Sequence, residues 1–233
     1  MFIIEIAKIK IKIDNKYKYL EKLCEEYIID SSSYDLLISV SLDEIEEERS
    51  KTTEKYSDGY LESICCYRKI SLSILGFNAF LVHACTIKID DYAYLLLARS
   101  GTGKTTHSKL LKEYLGDKMT YINGDKPIIR IIDGTPYAFG TPWNGKERYG
   151  ENTYAPVKAL VFIERAKYNS IEEISSDALL SKILNQILIP DTKDGVTLTF
   201  SLVDTLLKSS KQYLLKCNMD ISAAICSYNA ITK

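Results

Sequence analysis

The stretch from Tyr94 to Thr106 constrains this chain more than any other. An apolar run, Tyr94 to Leu97, stops at a loop containing Gly101, Gly103 and Lys104, and a helical pattern follows through Ser108, Leu110, Leu111, Tyr114 and Leu115. A strand, a glycine-rich loop and a helix in that order form a cradle for phosphate. The glycines let backbone N–H groups turn toward an anion, and the helix N-terminus adds its positive partial charge. The spacing matches the phosphate-loop pattern G-x-x-x-x-G-K-[ST], except that Ala98 stands at the first glycine. Arg99, Ser100, Gly101, Thr102, Gly103, Lys104, Thr105 and Thr106 are therefore expected to bind a nucleoside triphosphate. Lys104 would reach the β- and γ-phosphates, and Thr105 would place its hydroxyl on a magnesium ion.

The rest of the composition fits a protein with such a site. The 233 residues carry a net charge of -1, without the basic bias of a nucleic-acid binder. Six cysteines include no C-x-x-C pair, which reads as reduced thiols in a cytoplasmic protein. The longest uncharged stretch, Ile70 to Ile87, is interrupted by Ser71, Ser73, Gly76, Asn78 and His83 and is too polar for a membrane span. Neither nucleic acid nor membrane is expected as a partner, and no residue pattern selects an oligomeric state.

Periodicity gives the order of elements. Alternation over Ala7 to Ile13 predicts a strand that starts as early as Phe2, and Tyr17 to Ile28 carries a helical stripe. Leu36 to Val40 reads as a strand. Residues 43–57 fit a solvated helix or a loop equally well. A helix is expected from Tyr60 to Gly76. One strand is expected from Phe80 to Ile89, with Ala93 to Leu97 as its hairpin partner. Further strands are expected over Met119–Asn123, Lys126–Ile132, Tyr137–Gly140, Val157–Glu164 and Tyr213–Cys217. Helices are expected over 176–189, Val196–Leu207 and Ile221–Tyr228. Strands mixed with helices imply an α/β fold with a mixed sheet, and the motifs divide the chain into an N-terminal α+β segment, 1–77, either separate or part of the same sheet, and a phosphate-loop kinase-like domain, 78–233.

Three further places carry chemistry. Asp125 ends the strand after the phosphate-loop helix, where a carboxylate can hold magnesium or accept a proton. His83 lies in the strand that leads into the hairpin. Gly140 to Gly150 holds the only tryptophan, Trp143, together with Lys146 and Arg148. Trp143 would pack beneath that loop or stack on a ligand, and the two cations suit an anionic group on the acceptor side. His107, Glu164 and Arg165 are weaker candidates.

The order His83, then Ser100-Gly-Thr-Gly-Lys-Thr, then Asn123-Gly-Asp-Lys-Pro, then Gly140-Thr-Pro-Trp-Asn-Gly-Lys resembles the HPr kinase/phosphorylase and PEP-carboxykinase-like phosphate-loop kinases, over roughly residues 78–230. The resemblance implies their mixed-sheet fold, with Asp125, His83 and Lys104 catalytic and Thr105 and Asp125 on magnesium. In HPr kinases two adjacent aspartates follow this strand, the first a base. Here the first position is Gly124, so either Asp125 serves differently, or His83 or a group of the substrate handles the proton, or transfer is lost. The function this implies is transfer of a phosphoryl group from ATP to a hydroxyl of a small molecule or peptide. A nucleotide-binding regulatory or accessory protein without transfer is the alternative, and a carboxykinase-like lyase ranks third.

Overall fold

The computed structural model describes residues 1–99 and 101–233. The chain opens with a hairpin of β1 (Phe2–Ile6) and β2 (Ile9–Asp14). The single strand expected through Ala7 turns back instead. Ala7 and Lys8 adopt φ of 53° and 58°, the paired positive values of a two-residue turn whose twist suits a hairpin. The buried isoleucines mark the slip: Ile4 and Ile6 keep one phase, Ile9, Ile11 and Ile13 the other. β3 (Leu36–Ser39) joins β2 in parallel.

The long helix expected over Tyr17 to Ile28 is shorter. It comprises α1 (Lys18–Leu23) and one 3-10 turn (Glu25–Tyr27). The ambiguous charged stretch resolves into α2 (Leu42–Ser50). Ser41 accepts from the Glu44 N–H while the Glu44 side chain accepts from the Ser41 N–H, so two N–H groups at the helix start find partners. α3 (Asp58–Ser73) is capped by Ser57. Its fully buried Glu62 accepts from the N–H groups of Lys16 (2.6 Å) and Tyr17 (3.1 Å), which fixes the entry to α1. The apolar cluster of this segment continues without a break into Ile128, Phe139 and Trp143.

The second sheet has nine strands. The expected strand Phe80 to Ile89 is two strands, β4 (Ala79–Leu81) and β5 (Cys85–Ile89), separated by Val82, His83 and Ala84. β6 (Tyr92–Leu97) leads to the glycine-rich loop and α4 (Lys104–Leu115). Then come β7 (Met119–Asn123), β8 (Ile128–Ile132), β9 (Thr135–Phe139), β10 (Tyr154–Arg165) and β11 (Ser170–Glu173), the last not foreseen. α5 (Ser176–Leu184), α6 (Lys193–Lys208), β12 (Lys211–Cys217) and α7 (Ile221–Ile231) complete the chain. The order is β4-β8-β9-β10-β6-β5-β7, with β12 on β10 and β11 on β12. β10 spans both halves of this mixed, curled sheet. Tyr154 to Pro156 pair with β9, and the residues beyond pair with β6 and β12.

The sheet is buried on both faces, which explains the unbroken apolar run of β6. Leu95, Leu97, Leu160 and Phe162 pack against Leu179 and Ile183 of α5 and Leu202, Val203 and Leu206 of α6. Leu96, Val161 and Ile163 pack on the other side against Leu111 of α4 and Ala223 and Ala224 of α7. β6 is parallel to β10 and β10 to β12, while β5 is antiparallel to both β6 and β7. The C-terminal ends of β7, β6, β10 and β12 therefore share one edge, to which β5 brings its N-terminal end. In open sheets of this kind ligands bind at the carboxyl ends of the strands. Among the described residues no helix is long and apolar enough to cross a membrane.

Candidate functional site

The loop after β6 turns through Gly101 (φ 73°) and Gly103 (φ 127°), backbone conformations that disfavour a side chain. Thr102 N–H donates to Arg99 O (3.1 Å), and His107 N–H donates to Gly103 O (2.9 Å) as α4 begins. Gly103 offers no side-chain cap. The first N–H groups of a helix have no partner within it, so those of Lys104, Thr105 and Thr106 suit an anion. Arg165, at the end of β10, reaches back to the loop and donates to Thr102 O (2.9 Å) and Gly101 O. Ser100, expected among the nucleotide ligands, lies outside the described residues.

The break between β4 and β5 places His83. Val82 N–H donates to Pro127 O, His83 N–H to Gln186 O and Ala84 N–H to Asp125 O. The break thus pairs with the turn after β7 and sets the His83 and Asp125 side chains side by side. His83 Nε2 lies 3.0 Å from Asp125 Oδ1 and 3.3 Å from Lys104 Nζ. Lys104 also donates to Ala98 O at 3.3 Å. Lys126 Nζ stands 3.8 Å from the same Asp125 oxygen.

One ring nitrogen cannot serve a carboxylate and an ammonium at once. Burial alone would raise the Asp125 carboxyl, but the His83 hydrogen bond and the charges of Lys126, His83 and Lys104 outweigh it and hold it below the ordinary carboxylate range. Asp125 is therefore the charged partner, and Nε2–H donates to it. The Lys104 ammonium then remains available to other acceptors. Burial lowers Lys104 and Lys126 from the usual lysine value, against the opposing pull of Asp125.

Asn123 holds this turn. Its Oδ1 accepts from the N–H groups of Asp125 (2.8 Å) and Lys126 (2.6 Å), and its Nδ2 donates to Thr141 O and Oγ1 (both 3.0 Å). Thr141 in turn donates to Lys126 O at 2.8 Å. Two segments distant in sequence, 123–126 and 140–150, are thus one structure. Between them Gly124 has no room for a side chain. A Cβ there would lie 2.8 Å from Asn144 O and 3.0 Å from Tyr149 O, and its N–H donates to Tyr149 O at 2.7 Å.

The loop's predicted ligand groups are placed differently from one another. Trp143 is only 8% exposed; its indole donates to Ser63 O (3.2 Å) and packs on Tyr67 of α3. Of the two places open to Trp143, beneath the loop or against a ligand, the ring takes the first, in the core shared with the N-terminal segment. Lys146 and Arg148 are exposed beyond Gly145, whose backbone approaches the Asp125 side chain, and the structure does not join either to the His83–Asp125 cluster. His107 is buried against α7, with Nε2 3.0 Å from Ser227 Oγ.

Recesses of about 430 and 380 Å³ flank the loop on either side of Arg165. Arg99, Phe162, Glu164 and Lys182 line the first, where Lys182 pairs with Glu164 at 3.0 Å. Thr106, His107, Ala166, Cys217 and Met219 line the second. Sequence reasoning passed over Lys126 and Gln186. Lys126 stood inside the quoted motif, whereas Gln186 contributes only its carbonyl and leaves no side-chain signal.

Among the described residues no group of three or more His, Cys, Asp or Glu side chains could hold a metal ion. A Thr105 hydroxyl with one ionised carboxylate is nevertheless the sparse oxygen set that magnesium uses when phosphates and water supply the remaining ligands.

No protein-family model matches the chain, and no curated protein does. Among solved structures the HPr(Ser) kinase/phosphatase from Coxiella burnetii is similar at 11% sequence identity, over 54% of this chain and 89% of that one, with a TM-score of 0.31.

Proposed function

We propose that the protein is a cytoplasmic phosphotransferase that moves the γ-phosphoryl group of Mg-ATP to a hydroxyl of a small molecule or peptide. The observation that carries this reading is the meeting of Lys104, His83 and Asp125 within 3.3 Å contacts, at the mouth of a glycine-rich loop that opens a helix. Arg99 and residues 101–106 enclose the polyphosphate, with Ser100 completing the motif. Lys104 neutralises charge on the β- and γ-phosphates. Thr105 and Asp125 would hold magnesium, which supplies charge neutralisation on the phosphates when bound. His83 orients Asp125, and Lys146 and Arg148 form the rim on the acceptor side. The P–O bond to the β,γ-bridging oxygen breaks, its electron pair leaving with the nucleoside diphosphate. A new P–O bond forms to the acceptor oxygen, whose proton passes to the Asp125–His83 pair. Such transfer depends more on position and charge than on a strong base, so Gly124 is compatible with it. The test is to incubate the protein with Mg-ATP and a metabolite extract and to search for new phosphorylated masses. Their absence, with ATP unchanged, would refute transfer.

One observation favours the second reading, a nucleotide-binding accessory protein. The space beside Gly124 is filled by backbone rather than left open for a base. That reading predicts ATP binding with no acceptor-dependent release of ADP.

A further inference from the structure

Lys126 belongs to none of the roles assigned above, yet its position is unusual. Its Nζ shares Asp125 Oδ1 with His83, at 3.8 Å and 3.0 Å. Lys104 Nζ approaches the same His83 Nε2 at 3.3 Å. Asp125 is the one acid paired with Lys126 among the described residues, and Lys104 forms no ion pair there. Two lysines against one carboxylate leave the cluster with excess positive charge. The Lys126 side chain is only 20% exposed, and its ammonium makes no side-chain hydrogen bond among the described residues. A sheltered ammonium with open donors is unfavourable unless an anion meets it. If Asp125 is given to magnesium, Lys126 loses even its shared counter-charge. The rim cations Lys146 and Arg148 are exposed and have no comparable need.

We propose that Lys126 is a second phosphoryl-binding cation, which grips the terminal phosphate of a bound nucleoside triphosphate opposite Lys104. This rests on the kinase reading and adds to it a residue selective for the third phosphate. Lys126 is anchored through its backbone, by Asn123 Oδ1 and Thr141 Oγ1. Its side chain is thereby left free to follow the phosphoryl group.

The test compares ADP with the β,γ-imido analogue of ATP, both with magnesium, by calorimetric titration of the wild type, Lys126→Gln and Lys126→Arg. The wild type should prefer the triphosphate analogue. Lys126→Gln should keep its Kd for ADP within about twofold and weaken the analogue about tenfold, as expected for loss of one charge-assisted hydrogen bond. Lys126→Arg should recover most of the loss. Equal weakening of both nucleotides, no weakening of either, or no preference in the wild type would overturn the proposal while leaving nucleotide binding intact. A wild type that binds neither nucleotide would sink the kinase reading and this proposal with it. If Lys126→Gln fails to fold, amine acylation of the wild type read by peptide mass spectrometry serves instead. Lys126 should be protected by the analogue and not by ADP, and equal labelling in the two complexes would refute the assignment.

Discussion

Replacing Trp143 separates packing from hydrogen bonding in the loop over Asp125. The ring is 8% exposed, so about nine-tenths of its surface is removed from water. For roughly 200 Å² of side chain at about 25 cal/mol per Å², this corresponds to about 5 kcal/mol. Residual burial in the unfolded chain reduces it to about 3–4 kcal/mol. The indole N–H also satisfies Ser63 O, and its removal leaves a buried carbonyl unpaired at a cost of about 1–3 kcal/mol. Trp143→Phe should therefore lose about 2 kcal/mol and Trp143→Ala about 4 kcal/mol, a large part of an ordinary folding stability. Urea unfolding followed by far-ultraviolet circular dichroism measures both. In the wild type the fluorescence of this single tryptophan should be blue-shifted and insensitive to added nucleotide. An alanine variant within 1 kcal/mol of the wild type, or quenching on nucleotide binding, would refute the placement of the ring in the core.

Lys104→Ala should reduce phosphotransfer by about 100-fold or more while the chain remains folded, since one preorganised charge at the reacting group is lost; steady-state rates and circular dichroism check this. Gly124→Asp should destabilise the protein by about 3 kcal/mol in urea, because its carboxylate would meet the Asn144 and Tyr149 carbonyl oxygens without a partner. Burial pushes the His107 imidazole down to about 4 from 6.5. As pH falls the unfolded chain takes up the proton first. The stabilisation is complete above about 6.5 and disappears between there and about 4, some 3 kcal/mol in all. The stability difference between the wild type and His107→Gln should shrink by about that amount over this interval, and a constant difference would contradict it.

Much of this architecture was legible in the residues. The β6–loop–α4 unit follows directly from an apolar run, two glycines and a helical stripe. The strand ending at Asn123 was equally clear. What escaped were breaks in regular patterns. The turn at Ala7 and Lys8 contains no glycine or asparagine, and the interruption at His83 lies within a run apolar enough to pass for one strand. That interruption arises from tertiary pairing, since its N–H groups go to Pro127, Gln186 and Asp125. The sequence left Trp143 open between packing and a ligand because its partner, Ser63, lies 80 residues away and offers only a carbonyl.

Strand β10 has a mechanical consequence. The same twelve residues are stitched to β9 at one end and to β6 and β12 at the other. Parting the two halves of this sheet would require breaking the pairing of β10. Arg165, at the end of that strand, ties it to the glycine-rich loop through Thr102 O and Gly101 O, so a shift of β10 would carry the loop with it.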